Sequence, residues 1–319
     1  MTVVDTETTP VPAGFDHEAL FYRGTADFLA SVLPFLRQGL ARGEAVVVAE
    51  PRDRLDLLRK ALGDDAPGVD FLDMAEIGAN PPRIIAVWAA AVDEHVGSGR
   101  GLRGLGEPAW HGRRTVELVE CQLHELLLNV AFDGGPAWRL MCPYDEELLP
   151  RTVCRGALRA HPVRATSRGR LPNADYARDG HVAALAEPLP RPRPREGVLS
   201  GRYGPADLPA VRRTVVHWAR TCGLSEDQVE ALQLAASELA TNSLHHGGGG
   251  GTVAMWTELG AAIVEFSDAG QLRDPLAGRR HPSLEQEGGR GLYLVNQLCD
   301  LVQVRTSTLG TTVRVLTWL

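Results

Sequence analysis

A carboxylate and an amide lie one helical turn apart in the C-terminal third of the chain. Glu238 and Asn242 belong to a segment whose pattern predicts a helix that begins near Ser225 and ends at the glycine run 247–251. Side chains four residues apart stack along one side of a helix, and this pair of oxygen donors can hold a hydrated Mg²⁺ and contact a phosphate. The pair alone is more typical of solvated helix surface, so its interpretation depends on the segments that follow.

Two later segments carry groups that suit a nucleotide. The predicted strand 264–268 ends in Asp268-Ala269-Gly270, where the carboxylate can accept a hydrogen bond from an exocyclic amine and the glycine lets the backbone approach closely. The sequence Gly288-Gly289-Arg290-Gly291 then opens another helix, and the free N–H groups and positive dipole end of a helix N-terminus suit a polyphosphate. Together with the first pair, these segments favour a nucleotide site.

In this order the motifs resemble those of the GHKL ATPase superfamily. Glu-x3-Asn, Asp-x-Gly and Gly-x-Gly follow one another and close on Gly310-Thr311-Thr312-Val313, so the resemblance covers about residues 200–319. Within the superfamily, the segment is most similar to the anti-sigma-factor serine kinases related to histidine kinases. The resemblance implies an α+β two-layer sandwich that binds ATP and Mg²⁺.

The resemblance also implies roles for the matching side chains. Glu238 would act as the general base or position the attacking group, Asn242 would bind Mg²⁺, and Asp268 would contact the adenine amine. Further nucleotide contacts would come from His246, Gly270, Gly289, Gly291 and Thr311. His246 is equally explained as a histidine at the negative end of a helix dipole. The chain departs from the family in having Gln271-Leu272 after the Asp-x-Gly and a short lid over about residues 272–287.

Length and composition leave room for a second domain. The chain has 319 residues, of which 44% are hydrophobic, enough for two packed cores. No apolar run approaches the roughly 18 residues of a membrane span, and the N-terminus lacks the basic start and apolar run of a signal peptide. These features predict a cytoplasmic protein that does not engage a membrane.

Charge, cysteine and lysine usage exclude several classes of site. The net charge of -7 gives no electrostatic case for nucleic-acid binding. The five cysteines are scattered without a Cys-x-x-Cys, which argues against a disulfide framework and against a zinc site. Lys60 is the only lysine, so the C-terminal half cannot hold a P-loop or a protein-kinase-fold nucleotide site, since both depend on a lysine.

The N-terminal half alternates predicted strands with helices, which is typical of a mostly parallel sheet covered on both faces. Strands are predicted at 45–49, 69–74, 103–107 and 137–142, and helices at 52–62, 82–96 and 113–132. Residues 15–165 resemble the MEDS sensory domain. Three motifs carry the resemblance, at residues 17–22, 106–110 and 140–145. The resemblance implies an α/β domain with a RecA/KaiC-like parallel sheet. No phosphate loop follows residues 45–49, so we expect this half not to hydrolyse nucleotide.

A ligand pocket in this half is predicted from a few polar and aromatic residues. Glu107 and Cys142 are placed at strand ends, where α/β sheets bind ligands. The full set of candidates is His17, Glu107, Trp110, Cys142 and Tyr144. Simple packing explains Trp110 and Cys142 equally well.

The two predicted domains are joined by an arginine- and proline-rich linker at residues 166–197, and the ATPase domain occupies 198–319 with its first helix at 212–222. Alternating prolines near the end of the linker favour an extended spacer. His124-Glu125-Leu126 looks like the phosphoacceptor box of a histidine kinase. No second helix of a dimerisation hairpin accompanies it, so we assign His124 to helix surface.

These features predict a two-domain signalling regulator in which a sensory domain controls an ATP-dependent serine/threonine protein kinase. The resemblance implies an anti-anti-sigma-type protein, a sigma factor or both as partners, and a small ligand for the N-terminal domain; a homodimer is compatible with it. Two alternatives remain open, namely a non-catalytic ATP-switched binding module and a histidine kinase that phosphorylates itself. The presence of Glu238 favours the kinase.

Overall fold

The computed structural model describes residues 14–166, 169–193, 197–282 and 289–319. These residues form one sheet in the N-terminal half and another in the C-terminal half. Alternating side chains along the strands pack on opposite faces of each sheet. The sequence therefore builds four apolar clusters, two for each sheet.

The N-terminal sheet has the strand order β3-β2-β4-β5-β1-β6-β7. Its strands pair in parallel, except that β7 runs antiparallel to β6. The strands are β1 (Phe15–Tyr22), β2 (Ala45–Glu50), β3 (Val69–Asp73), β4 (Leu102–Gly106), β5 (Trp138–Asp145), β6 (Val163–Thr166) and β7 (Gly169–Pro172).

Helices cover both faces of this sheet, as the alternating pattern predicted. On β2, Val46 and Val48 pack into one cluster while Val47 packs into the other, because successive strand residues point to opposite faces. The helices are α1 (Gly24–Ala41), α2 (Arg52–Leu62), α3 (Met74–Ile77), α4 (Ile84–Ala91), α5 (Thr115–Phe132), α6 (Arg151–Ala160) and α7 (Gly180–Ala186). Shorter helical turns occupy Gly63–Gly68, Pro81–Arg83 and Val92–Val96.

The C-terminal sheet is antiparallel, with the order β11-β12-β10-β9-β8. Its strands are β8 (Leu199–Tyr203), β9 (Gly251–Glu258), β10 (Ala261–Asp268), β11 (Leu301–Ser307) and β12 (Gly310–Trp318). One face packs against α8 (Leu208–Thr221), α9 (Glu226–His246) and α10 (Arg290–Leu298). A single turn, Pro205–Asp207, precedes α8. This arrangement is the two-layer α+β sandwich that the motifs predicted.

Local signals set both ends of α9, the helix that carries the Glu238–Asn242 pair. Ser225 caps it by accepting a hydrogen bond from the backbone N–H of Gln228 at 3.3 Å, while the Gln228 side chain accepts from the N–H of Ser225 at 2.9 Å. The helix ends at Gly247, whose N–H bonds to the carbonyl of Ser243 at 2.9 Å. The predicted limits of this helix are therefore confirmed.

The N-terminal domain covers the face of the C-terminal sheet that α8, α9 and α10 leave open. Trp256, Ile263 and Leu316 form a small apolar cluster on that face, and Val116 of α5 packs against it. Beside it, Glu120 of α5 is fully buried and accepts hydrogen bonds from Arg305 Nη2 at 2.6 Å and from Gln303 Nε2 at 3.1 Å. Helix α5 is thus a shared element of the two domains.

A second contact between the domains joins the turn Pro81–Arg83 to the C-terminal end of α10. Arg83 donates to the carbonyl oxygens of Asn296 at 2.7 Å, Gln297 at 2.5 Å and Cys299 at 3.2 Å. The side chain of Asn80 donates to the same Asn296 carbonyl at 2.9 Å. A cation and an amide therefore satisfy the carbonyl groups that a helix end leaves unpaired.

Three sequence predictions differ from the structure. The region predicted as an extended linker contains β7 and α7, and α7 packs against β11. The apolar stretch around Leu185, which is buried, indicates a packed helix, but the flanking prolines are typical of a linker. Helix α8 begins at Leu208 rather than 212, since Pro209 is tolerated in a first turn. The predicted helix 82–96 is divided into three consecutive turns and helices.

No helix among the described residues is both long enough and apolar enough to cross a membrane.

Candidate functional site

Asp268, at the end of β10, is held by two hydrogen bonds beside the C-terminal end of α9. Its Oδ1 accepts from the backbone N–H of Gly270 at 2.8 Å, and its Oδ2 accepts from the hydroxyl of Ser243 at 2.7 Å. Each carboxylate oxygen retains a further lone pair. The carboxylate is therefore fixed in orientation and can still accept a hydrogen bond from an incoming N–H group, as the predicted contact with an exocyclic amine requires.

Glycine is required where three backbone segments meet at this carboxylate. A Cβ on Gly270 would overlap the carbonyl oxygen of His246, and a Cβ on Gly247 would overlap the side chain of Asp268. Gly310 has a φ of +134°, and a Cβ there would overlap the carbonyl oxygen of Asp268. The segments can approach this closely only because these positions carry hydrogen.

Thr311, on β12, links the Asp268 end of the site to β11. Its hydroxyl donates to the carbonyl of Gly270 at 2.8 Å and lies 3.0 Å from the hydroxyl of Thr306, which accepts from the N–H of Leu272 at 3.0 Å. His246 contributes its backbone here, whereas its side chain is exposed. The structure thus brings Thr311 to the predicted base-binding end, and the role of the His246 imidazole stays a prediction.

The opposite end of the site lies where α10 begins. Gly289 adopts a left-handed conformation with φ 75° immediately before α10, and Gly291 in its first turn is so close to Glu238 that a Cβ would overlap Oε2 of that carboxylate. The side chains of Glu238 and Asn242 are half-buried, and neither has a hydrogen-bond or ion-pair partner within 14–166, 169–193, 197–282 or 289–319. The Glu238 carboxylate therefore lies beside a helix N-terminus, with Asn242 one turn further along α9. The rest of the predicted lid, residues 283–288, lies outside the described residues.

The two ends of the site are connected by α9. Glu238 and Ser243 are five residues apart, which corresponds to about 8 Å along the helix axis, and Asn242 lies between them. This order matches a nucleotide with its base at Asp268 and its phosphates at Gly291. Ser243 and Tyr203 were not predicted as site residues. Tyr203 is buried in the adjoining core, and burial raises the pKa of its hydroxyl.

In the N-terminal domain, two carboxyl groups meet where the strand order changes direction. β3 lies on one side of β2 and β4 on the other, so the crevice at their carboxyl ends is the usual ligand site of such a sheet. Glu50 ends β2 and Glu107 follows β4; they are 0% and 3% exposed. Burial and the charge of Glu107 raise the pKa of Glu50, and burial also raises the pKa of Glu107.

Two further groups line this carboxyl pair. The Tyr22 hydroxyl donates to Oε1 of Glu107 at 3.2 Å, and Arg54 donates to the Tyr22 hydroxyl at 3.1 Å and lies 3.6 Å from Asp145. The predicted location of Glu107 at a strand end is therefore confirmed. Glu50 was not predicted as a pocket residue. Its position, where related sheets carry a phosphate loop, could have indicated one.

Three of the other predicted pocket residues lie in a separate buried cluster on β1 and β5, namely His17, Cys142 and Tyr144. Cys142 is the fifth of eight residues in β5, so the prediction that it ends a strand is wrong; β5 continues to Asp145. Its sulfur lies 3.4 Å from Nε2 of His17. Sequence reasoning missed the cluster's other members, Glu125 of α5 and His161 after α6.

Trp110 and His124 lie outside that cluster. The ring of Trp110 is half-buried and stacks on the guanidinium of Arg113, with 4.2 Å from Cζ to the ring centroid. His124 was assigned to helix surface, and this is wrong, because the side chain is 1% exposed and burial lowers its pKa to about 3. A buried imidazole on α5 cannot receive a phosphoryl group without local unfolding.

Comparison with known families defines the two halves. Residues 16–162 match the family model of the MEDS domain, described as the methanogen/methylotroph, DcmR sensory domain. Residues 203–317 match the family model of the histidine kinase-like ATPase domain. The chain thus carries an N-terminal MEDS domain and a C-terminal histidine kinase-like ATPase domain, and both sequence resemblances are confirmed.

One curated relative agrees with the second assignment. Over 107 residues, the chain is 32% identical to the serine-protein kinase RsbW of Halalkalibacterium halodurans; the match covers 30% of this chain and 66% of that kinase, just under two thirds of its length. A structure of the RsbU and RsbW domains of a Mycobacterium tuberculosis protein is similar at 18% identity and a TM-score of 0.29, covering 38% of this chain and 32% of that one. The similarity to RsbW supports the predicted resemblance to anti-sigma-factor kinases.

Proposed function

We propose that the C-terminal domain binds ATP with Mg²⁺ and transfers the γ-phosphoryl group to a serine or threonine of a partner protein. The observation that carries the proposal is the arrangement along α9, whose Ser243 holds the ordered acceptor Asp268 near the C-terminal end of the helix. About 8 Å back along the axis, Glu238 lies against the glycine-opened start of α10, and Asn242 lies between the two; neither side chain has a partner among the described residues. The glycines remove side-chain bulk where a nucleotide needs close backbone contact.

Each residue of the site has a task in this proposal. Asp268 accepts a hydrogen bond from the adenine amine and so sets the position of the nucleotide. Asn242 offers a neutral oxygen to Mg²⁺, which when bound neutralises charge on the phosphates. Glu238 accepts the proton of the attacking hydroxyl, since a serine hydroxyl is a weak nucleophile near neutral pH. The backbone N–H groups at the start of α10 face the transferred group and stabilise its negative charge.

The partner follows from the relative that the domain resembles. We propose an anti-anti-sigma-type protein as the phosphoryl acceptor and a sigma factor as a second binding partner; a homodimer is compatible with this proposal. The N-terminal domain contributes a small-ligand site rather than ATP hydrolysis, since Glu50-Pro51-Arg52-Asp53 stands where RecA/KaiC-type relatives have a phosphate loop. Its relation to those folds is part of this proposal.

Control of the kinase by the sensory domain is supported by two contacts. Arg83 and Asn80 bind the C-terminal end of α10, the helix whose first turn lies against Glu238. Glu120 pairs with Arg305 on β11. A ligand that shifts the Pro81–Arg83 turn therefore acts on a helix that forms part of the nucleotide site, and a ligand that shifts α5 acts on β11 of the same domain.

A second function, an ATP-switched binding module without catalysis, is favoured by one observation. The start of α10 lies directly against the half-buried Glu238 carboxylate, which restricts the approach of a partner hydroxyl to it. The histidine-kinase alternative has no such support, because His124 is buried.

Transfer of labelled γ-phosphate to the partner by the full chain tests the proposal. Glu238→Ala should keep ATP affinity within severalfold and reduce transfer by roughly 10²–10⁴, whereas Asn242→Ala should reduce both, because it removes an oxygen ligand. Glu230→Ala, an exposed change on the same helix, is the matched control. Full ATP binding without transfer would favour the binding module. Acid-labile label retained on this chain would indicate phosphohistidine and would refute serine/threonine transfer, because phosphoserine survives acid.

A further inference from the structure

Four side chains inside the N-terminal domain direct potential ligand atoms to one point. His17 on β1, Glu125 on α5, Cys142 on β5 and His161 after α6 place one ligand atom each within 4.8 Å of every other. Oε2 of Glu125 lies 3.1 Å from Nε2 of His17 and 3.3 Å from Nε2 of His161. All four residues are at most 2% exposed. The cluster is separate from the nucleotide site and from the Glu50–Glu107 pair.

Hydrogen bonds outside the cluster fix the tautomer of both imidazoles. The Asn129 amide nitrogen donates to the carbonyls of Glu125 and Ala160, so its oxygen faces Nδ1 of His17, at 3.1 Å, and must accept from it. Nδ1 of His161 lies 2.8 Å from the carbonyl of Ala157 and must donate to it. In each neutral ring the proton is therefore on Nδ1, and the lone pair of Nε2 points into the cluster.

This arrangement is electrostatically incomplete without a cation. Both oxygens of Glu125 and Nε2 of His161 form no hydrogen bond within the described parts of the chain. A carboxylate that faces two nitrogen lone pairs and a sulfur atom in a dry interior is strongly unfavourable. A cation at the centre of the four groups would supply the missing counter-charge.

We propose that these four residues bind a divalent metal ion, Zn²⁺, in a tetrahedral site. Zinc–nitrogen, zinc–oxygen and zinc–sulfur bonds of about 2.0–2.3 Å place tetrahedral ligands roughly 3.3–3.6 Å apart. Three of the ligand pairs are separated by 3.1–3.4 Å, and the remaining pairs lie within 4.8 Å. On binding, the Cys142 thiol releases its proton to solvent and binds as thiolate. The two charges of the metal then cancel those of Glu125 and Cys142, which leaves a neutral group suited to burial.

The outer contacts are those of a metal site rather than of a packed core. In protein metal sites, a ligating histidine donates its second N–H to a carbonyl or amide oxygen, as His17 does to Asn129 and His161 to Ala157. Tyr144, whose hydroxyl is buried and lacks a hydrogen bond among the described residues, lies next to His161. Tyr144 and Glu125 line the same narrow crevice between α5, α6 and β5.

The scattered cysteines, without a Cys-x-x-Cys, predicted that the chain has no zinc site. That argument covers only sites whose ligands are neighbours in the chain. Here the four ligands come from four separate elements, and only the parallel pairing of β1 with β5, which sets Ala19 opposite Cys142, brings His17 close to that cysteine.

Metal analysis of the full-length protein tests the proposal. We expect one equivalent of zinc per chain after reconstitution and dialysis, and removal of the metal by a chelator should lower Tm by several degrees, because a ligand bound only by the folded state stabilises it. Replacement by Co²⁺ should give a thiolate-to-cobalt charge-transfer band that is lost in Cys142→Ser and kept in Cys222→Ser, a control in the ATPase domain.

Some outcomes would overturn the proposal. A folded wild-type chain that retains no stoichiometric metal, whose Tm is unchanged by zinc or chelator, would show that protons alone balance the cluster. A charge-transfer band that survives Cys142→Ser would place the metal elsewhere. Because the wild-type measurements need no variant, the test stands even where Cys142→Ser fails to fold, and it does not depend on kinase activity.

Discussion

Replacing Glu120 with alanine should destabilise the protein by about 3–5 kcal/mol, the usual loss when one partner of a buried ion pair is removed. This carboxylate is 0% exposed and lies 2.6 Å from Nη2 of Arg305, whose side chain is 8% exposed. It also attracts the fully buried Arg279, whose pKa burial lowers to about 10. Alanine would thus leave two buried guanidinium groups without a counter-charge, which places the expected loss in the upper part of the range.

Urea denaturation followed by tryptophan fluorescence measures this loss as a change in the free energy of unfolding. Glu94→Ala, an exposed change in the same domain, should stay within about 0.5 kcal/mol of the wild type. Adding Arg305→Met to Glu120→Ala should recover part of the stability, because one of the two uncompensated charges is then removed. A loss below about 1 kcal/mol for Glu120→Ala would refute the inference that this pair is buried between the domains.

Three further predictions concern the nucleotide site, the carboxyl pair and α10. Asp268→Asn should weaken Mg-ATP binding at least tenfold by calorimetry, since a hydrogen bond to a charged acceptor contributes about 1.5–3 kcal/mol, while Asp227→Asn should not; equal affinities would contradict the base-end assignment. Because the pKa of Glu50 is raised above 4.5, the folded state keeps a proton there that the unfolded chain releases, and stability falls as pH rises toward the folded pKa. Glu50→Gln should therefore raise Tm more at pH 8 than at pH 5, and a pH-independent gain would refute the shift. Arg83→Met should change Mg-ATP affinity in the full chain. An unchanged affinity would show that the sensory domain does not act on nucleotide binding through α10.

Local signals predicted the elements of the nucleotide site well. The Ser225 cap, the Gly247 stop and the Asp268-Ala269-Gly270 turn each depend on a few neighbouring residues, so the sequence alone located α9 and the end of β10. The convergence of Thr311 on Gly270 follows from strand pairing between β10 and β12. Only a family resemblance could suggest that contact in advance.

The failures of sequence reasoning concern burial and tertiary pairing. His124 was assigned to the surface, and nothing in its sequence neighbourhood shows that the C-terminal sheet covers α5. Cys142 was placed at a strand end, although the strand continues through Pro143 to Asp145. The Glu120–Arg305 pair joins residues 185 positions apart, a separation across which composition and periodicity carry no information.

The contact of Arg83 and Asn80 with the far end of α10 has a thermodynamic consequence for the sensory domain. If a ligand of that domain changes the affinity of the ATPase domain for nucleotide by some factor, then nucleotide must change the affinity for that ligand by the same factor. The concentration at which the sensor responds is then not a property of the MEDS domain alone. This concentration rises or falls with the occupancy of the nucleotide site, so the ligand affinity of each domain depends on whether the other domain is occupied.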